Sequence, residues 1–222
     1  MVLLFFGPPG SGKGTQSKLI TEWLKVPAIS TGELFRAEIA SRTALGVAAR
    51  TIIARGELVG DDIVNRMLEK RLMAPDARGG FLLDGYPRTI PQAEFLDQLL
   101  EERGLSGATV LHLEVPRQVI VERLSGRRNC PVCQSIYNVY TQSSRVAGVC
   151  DLDGARLEIR EDDREEVVRL RLEEYDRVTG PLIGFYSDQD YIRIDGHRDP
   201  DEVAQELESA LEERLVRVRQ RR

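Results

Sequence analysis

The sequence predicts an α/β fold: a doubly wound, parallel five-stranded sheet flanked by helices, with a helical insert over residues 30–59 and a β-rich insert over residues 126–163. Three observations carry that prediction. A glycine-rich turn near the start of the chain separates a short apolar run from a helical pattern; further apolar runs then alternate with helical periodicity; and the alternation is suspended twice. Residues 1–29, 60–125 and 164–222 are left as the core.

Val2-Leu3-Leu4-Phe5-Phe6 reads as the first strand, and the turn after it is Gly7-Pro8-Pro9-Gly10-Ser11-Gly12-Lys13-Gly14-Thr15. This is the spacing of a phosphate-binding loop (P-loop), Gly, four residues, Gly, Lys, with one departure: Gly14 follows the lysine and the hydroxyl comes at Thr15. Glycines let successive backbone N–H groups turn inward onto phosphate oxygens, the next helix presents the positive end of its dipole, and Lys13 adds a full charge. Between a strand and a helix, such a loop predicts a nucleoside triphosphate in preference to a plain turn with an incidental lysine.

Gln16 to Leu24 places Leu19, Ile20 and Leu24 on one helical stripe, and Val26 to Ser30 is a short strand. Ser30 or Thr31 caps a second helix through Leu34, Phe35 and Ile39, with Arg36 in its first turns; a third helix crosses Val47, Ile52 and Ile53 to Arg55 and stops at Gly56. Glu57-Leu58-Val59-Gly60 leads to a start capped by Asp61-Asp62, and the pattern Ile63, Val64, Met67, Leu68, Leu72 is helical as far as Gly79-Gly80. Phe81-Leu82-Leu83-Asp84 is a buried strand ending in an acid. At the carboxyl end of a parallel strand Asp84 is a candidate ligand for Mg²⁺, directly or through water; a strand-end cap for the turn at Gly85 is the alternative. Gln92 to Glu102 is a helix, Ala108 to Val115 a strand, and Val119 to Leu124 a helix leading to Gly126-Arg127-Arg128. Beyond the second insert, Glu165 to Tyr175 is a helix, Tyr191 to Asp195 the last strand, and Val203, Leu207, Leu211 and Leu215 line the C-terminal helix.

An apolar share of 41% beside 30% charged residues excludes a disordered chain. No apolar run approaches the roughly 20 residues of a membrane span, and the N-terminal stretch lacks the flanks of a signal peptide, so a cytoplasmic protein is expected. The net charge of -5 argues against general nucleic-acid binding; Arg214, Arg217, Arg219, Arg221 and Arg222 read as a solvated helix end whose cations offset the dipole. Cys130, Cys133 and Cys150 follow C-x2-C-x16-C, and Asp153 completes a second pair, C-x2-D. Two such knuckles would close a tetrahedral Zn²⁺ site, structural because it has no open position; free cytosolic thiols are the alternative, and a disulfide would leave one cysteine over.

Taken together these residues resemble the adenylate kinases, in the bacterial long form whose lid carries a structural zinc. The resemblance covers nearly the whole chain: the Gly7 to Thr15 loop with its displaced hydroxyl, Ile29 to Leu34 and Arg36, Gly56 to Val59, Phe81 to Thr89 through Gln92, Gly126-Arg127-Arg128, Arg160 to Asp163, and Arg171. It implies that Lys13 and the amides of Gly10, Ser11, Gly12, Gly14 and Thr15 hold the ATP phosphates. It implies AMP on Thr31, Arg36, Glu57, Leu58, Val59, Gly85, Tyr86, Pro87, Arg88 and Gln92. Arg88, Arg123, Arg127, Arg160 and Arg171 would converge on the transferred phosphoryl group, while Ile136, Tyr137 and the backbone near Arg198 flank the ATP base. It further implies Mg²⁺ with ATP, structural Zn²⁺ on Cys130, Cys133, Cys150 and Asp153, no nucleic-acid or membrane partner, and a monomer. Two departures stand out: Gly60 replaces a more usual Pro or Thr, and the run Tyr137 to Ser144 lacks the Pro-Pro pair common there.

The implied reaction is reversible transfer of the ATP γ-phosphoryl group to AMP, giving two ADP. Phosphoryl transfer asks a protein mainly for positioning and charge stabilisation, which suits planar guanidinium groups. The acceptor oxygen is already ionised, so no general base is needed, and His112 and His197 are expected to be structural or surface residues. Two inserts closing over the substrates would exclude water. A kinase for UMP, CMP or GMP is the alternative, told apart by the acceptor pocket at Thr31, Val59 and Gln92. A nucleotide-dependent module with an RNA-binding zinc ribbon is opposed by the acidic net charge. Taken singly, an arginine is also a surface ion-pair partner, Arg160 before Glu161-Asp162-Asp163 above all.

Overall fold

In the computed structural model, which describes residues 1–105, 107–186 and 190–220, the strands are β1 (Val2–Phe6), β2 (Ala28–Ser30), β3 (Phe81–Asp84), β4 (Thr109–Glu114), β5 (Arg127–Asn129), β6 (Ile136–Asn138) and β7 (Asp190–Asp195). Five of them form one parallel sheet in the order β2-β3-β1-β4-β7, and β5 and β6 form a separate antiparallel pair. In β1 every residue is buried, as expected of a central strand covered on both faces. Val2, Leu4 and Phe6 face one layer with Leu68 and Leu72 of α4 (Asp61–Leu72) and Leu96 of α5 (Ile90–Glu102). Leu3 and Phe5 face the other, with Ile20 of α1 (Lys13–Leu24) and Leu207 and Leu211 of α9 (Pro200–Gln220). Because β3 and β4 lie on opposite sides of β1, the loop after β1 opens into the crevice at the carboxyl edge of the sheet.

Several boundaries differ from the sequence expectation for local reasons. Helix α1 begins at Lys13 rather than Gln16, because Gly12, at φ 102°, turns the strand directly into it. β2 starts only at Ala28, since Lys25 takes a left-handed conformation, φ 55°, and the Val26 N–H still closes on the Thr21 carbonyl. In α2 (Thr31–Ala40) Ser30 is the cap, its hydroxyl accepting from the Glu33 N–H, and Phe35 is more deeply buried than Leu34 or Ile39. α3 (Ala44–Ala54) turns Val47 outward and packs Gly46, where a Cβ would stand 2.1 Å from the Glu38 carbonyl oxygen. Asp61 and Asp62 do not cap α4. Gly60 holds that position without a side-chain bond, and α4 ends at Leu72, ahead of a single turn at Pro75–Ala77.

α6 (Arg117–Gly126) leads into β5, and α7 (Glu165–Glu174) runs on through a wider turn, Tyr175–Thr179, to a short α8 (Pro181–Tyr186). The sequence reading left α8 out, although Leu182 and Tyr186 are fully buried in it. The second insert is less β-rich than expected: beyond the β5–β6 pair it is built mainly of turns around the cysteines, with isolated bridges. Without a Pro-Pro pair its run closes tightly, Asn138 and Gln142 exchanging backbone hydrogen bonds of 2.9 and 3.0 Å. Arg221 and Arg222 of the expected cationic helix end, and the side chains of Arg217 and Arg219, lie outside what is described.

Candidate active site

The loop after β1 bends back through Gly7, Gly10 and Gly12, at φ 143°, 82° and 102°. At Gly10 the backbone must stay bare, because a Cβ there would meet Leu124 Cγ at 2.7 Å. Only some of the loop's N–H groups are used internally: Ser11 donates to Pro8 and Thr15 to Gly12. Among the described residues the N–H groups of Gly10, Gly12, Lys13 and Gly14 have no protein acceptor. Lys13 Nζ folds over the loop and donates to the carbonyls of Gly7 at 2.6 Å and Pro8 at 2.8 Å. Burial pushes its pKa down to about 8; Asp84 opposes that shift, while Arg88, Arg171 and Arg127 add to it. Free donors at a helix N-terminus beside a cation form an anion site.

This loop is one wall of a cleft of about 1730 Å³, into which Arg36, Arg88, Arg123, Arg127, Arg160 and Arg171 also reach. Arg123 donates to the Ser11 carbonyl at 3.3 Å and the Gly196 carbonyl at 3.0 Å, which ties α6 to the loop. Arg127 clamps the buried Asp163 carboxylate with two N–H groups, and Arg171 reaches the Asp162 carboxylate at 2.8 Å. Burial alone would raise Asp162, but Arg171, Arg127, Arg160 and Arg36 hold its carboxyl below the ordinary value. Arg160 is not the ion-pair partner of its acidic neighbours: its hydrogen bond goes to Asn129 Oδ1 at 2.9 Å, and Glu161 turns away to Arg50 at 2.6 Å. Its Nε is buried without a partner, and burial together with Arg127 and Arg36 pushes the guanidinium down to about 10. Burial lowers Arg88 as well, with Arg171 adding to it. Lys13 and the six arginines thus outnumber the carboxylates that act on them, those of Glu33, Asp84, Asp162, Asp163 and, at Arg123, Asp195. Among the described residues nothing donates a hydrogen bond to the Asp84 carboxylate, which is free to accept a hard cation.

At the far end of the cleft Thr31 Oγ1 donates to the Gly85 carbonyl at 2.9 Å, and Arg88 Nε donates to the same oxygen at 3.0 Å. Gln92 Oε1 accepts from the Arg88 N–H at 2.8 Å. Tyr86 stands behind them, its hydroxyl on Asn65 Oδ1 at 2.7 Å, with Pro87, Glu57, Leu58 and the buried Val59 completing the wall. At the opposite end lie Ile136, half exposed, and Arg198, paired with Glu206. Tyr137 is also among the residues lining the cleft, but its hydroxyl points into the second insert, 3.4 Å from Cys150 Sγ. Tyr140, which the sequence reading did not single out, lies exposed on the same wall. His112 is structural, as expected: it is buried with Nδ1 2.6 Å from the Tyr191 hydroxyl, and burial, then Arg193 and Lys13, push it down to about 4. His197 is exposed.

Cys130, Cys133, Cys150 and Asp153 bring one ligand atom each to within 4.8 Å of one another. Cys130 Sγ lies 3.2 Å from Asp153 Oδ2, and Cys133 Sγ 3.5 Å from Cys150 Sγ. A tetrahedral zinc with bonds of about 2.0–2.3 Å has edges of about 3.3–3.8 Å, and these two separations are close to that size. The Ala155 N–H and the neighbouring thiols hold the Asp153 carboxyl well below the usual carboxylate range. All three cysteines are free of disulfides.

The family model for adenylate kinase matches residues 5–191 of this chain. Proteins named adenylate kinase from Caldanaerobacter subterraneus and Carboxydothermus hydrogenoformans are 45% and 46% identical to it, covering 95% and 96% of this chain and 96% and 100% of their own. The chain belongs to the adenylate kinase family. A third relative of that name, from Anaeromyxobacter dehalogenans, is 49% identical over 85% of this chain and 88% of its own. The resemblance read from the loop, the Asp84 segment and the arginines is therefore borne out, as is the adenylate kinase fold of a five-stranded parallel sheet behind a phosphate loop. Sequence reasoning missed the supports behind the adenylate kinase cleft, Asn65 and Asn129, because an asparagine far away in the chain carries no local signal.

Proposed function

We propose that the protein transfers the γ-phosphoryl group of ATP to AMP, reversibly, giving two ADP. One observation carries this reading. Lys13, Arg36, Arg88, Arg127, Arg160 and Arg171 converge on a single cleft whose two ends differ, free loop amides at one and the Thr31–Gly85–Gln92 wall at the other. Guanidinium groups that depress one another need anions, and two phosphorylated ligands entering from opposite ends supply them.

Lys13 and the loop amides hold the donor phosphates, with Arg123 and Arg127 beside them. Arg36 takes the acceptor phosphate, and Arg88, Arg160 and Arg171 bear on the group in transit. Thr31, Val59 and Gln92 face the acceptor base; Ile136 and the backbone near Arg198 face the donor base. Asp84 would hold Mg²⁺, directly or through water, and that ion neutralises charge on the donor phosphates. No side chain need remove a proton, since the attacking phosphate oxygen is an anion. Residues 30–59 and 126–163 act as covers that keep water from the phosphoryl group. Cys130, Cys133, Cys150 and Asp153 hold a structural Zn²⁺ remote from the chemistry. Three unpaired cysteines suit a reducing cytoplasm, and the site is complete within one chain, which suits a monomer.

ADP formation measured from ATP and Mg²⁺ with AMP, UMP, CMP, GMP or no acceptor tests the reading. Strong dependence on AMP is expected. Equal use of another monophosphate would change the acceptor, and phosphate release regardless of acceptor would reduce the protein to an NTPase.

A further inference from the structure

We propose that Asp61 is a positioning residue: it fixes which way Gln92 presents its side-chain amide, and through that sets the preference for the acceptor base. The inference rests on the placement of Gln92 in the acceptor site proposed above.

Asp61 opens α4 where the 30–59 insert rejoins the core, and both of its oxygens are engaged. Oδ1 accepts from Gln92 Nε2 at 2.7 Å, and Oδ2 from Thr89 Oγ1 at 2.8 Å. Thr89 in turn caps α5 by accepting from the Gln92 N–H at 3.2 Å. An amide turned over by half a rotation keeps its shape and exchanges donor for acceptor, so something must decide its sense. Here it is decided at both ends: a carboxylate only accepts, which draws the NH₂ group to Asp61, and the Arg88 N–H only donates, which draws Oε1 to it at 2.8 Å. The reversed amide would set oxygen against carboxylate and N–H against N–H in a residue 2% exposed.

Each end of the amide keeps one unused position, a second hydrogen on Nε2 and a second lone pair on Oε1, and Gln92 lines the cleft. An incoming base therefore meets a donor and an acceptor in fixed order. Adenine offers an amino donor beside a ring-nitrogen acceptor, whereas guanine offers a carbonyl acceptor beside a ring N–H. The order set by Asp61 suits one edge and opposes the other.

The test is steady-state kinetics of the full-length protein, wild type against Asp61→Ala and Asp61→Asn, with AMP and GMP as acceptors, and thermal melting of each. Asp61→Ala is expected to raise the KM for AMP about tenfold and to narrow the AMP-over-GMP preference by a similar factor, with the KM for ATP within about twofold. Asp61→Asn is expected to retain most of the wild-type preference, because its oxygen can still accept from Gln92 while its NH₂ group faces the Thr89 hydroxyl. Should the alanine variant fail to fold, Asp61→Ser, which keeps a polar group that can still meet the Thr89 hydroxyl but is too short to reach Gln92, takes its place with the same expectation. A wild-type AMP KM and AMP-to-GMP ratio in a folded Ala or Ser variant would overturn the proposal, as would equal losses for AMP and ATP. Absence of AMP-dependent turnover in the wild type is a different result, one that overturns the function rather than the role of Asp61.

Discussion

β1 is covered on both faces by helices, whereas residues 126–163 gather only Cys130, Tyr137, Cys150 and Leu157 into a buried cluster. On the surface of that insert Val132 and Leu152 are 69% and 75% exposed, and Tyr140, on the cleft wall, is 71% exposed. The central sheet thus stabilises itself by apolar burial, at about 1.5–3 kcal/mol for each large side chain taken from water. The insert is too small for that, and its short strands cannot hold it either. What remains is its set of converging ligand atoms, Cys130, Cys133, Cys150 and Asp153. With the proposed Zn²⁺ bound, such a segment would be organised by a few strong local bonds, which suits the cover proposed above better than a second hydrophobic layer would.

The largest effect should come from removing the proposed Zn²⁺. Chelation, or Asp153→Ala, is expected to empty the site and release amide protection across residues 126–163, with the sheet amides unchanged; structural zinc binding in small domains is worth about 10–16 kcal/mol. Hydrogen exchange followed by mass spectrometry reads this directly, and loss of protection in β1 or β3 would break the contrast between the two regions.

Next in size is the core itself. Leu82→Ala, at a fully buried position of β3, is expected to lower unfolding stability by about 3–5 kcal/mol in a urea titration, and Leu157→Ala, in the insert's small cluster, by about 2 kcal/mol. Equal losses would mean that the insert is packed as the core is. Arg88→Ala asks whether the charges, rather than the packing, govern turnover: about a thousandfold lower ADP formation, near 4 kcal/mol of lost transition-state stabilisation, is expected with little change in melting temperature. Near-normal turnover would remove Arg88 from the site.

Acid should sharpen the comparison most gently. His112 in the core has its folded pKa, about 4, below the ordinary 6.5. The folded state therefore disfavours the proton that the unfolded chain takes up, so stability is full above 6.5 and declines as the pH falls from 6.5 towards 4. The loss is up to about 3 kcal/mol. His112→Gln is expected to flatten urea midpoints measured across that window; an unchanged slope would assign the acid sensitivity elsewhere.

Much of this protein was readable in the chain because its signals are local. The Gly7 to Thr15 loop, the apolar runs of β1 and β3, the acid at the end of β3 and the cysteine knuckles each depend on residues close together in sequence, where spacing alone decides which chemistry is available. Asp61 looked like a cap because capping rules weigh a helix by itself. Contact with Glu38 made Gly46 the packed residue of α3, and Thr89 with Gln92 drew the Asp61 carboxylate across to α5. Likewise the sequence left Arg160, beside three acids, open to the alternative of a surface ion pair, until the fold gave Glu161 to Arg50, Asp162 to Arg171 and Asp163 to Arg127. The amino-acid sequence by itself determined the sheet, the phosphate loop and the ligand set, all written within short stretches. Only the tertiary structure decided which charges remain free in the cleft, because a charge is paired by whatever the fold brings near it, and those partners lie up to 111 residues away.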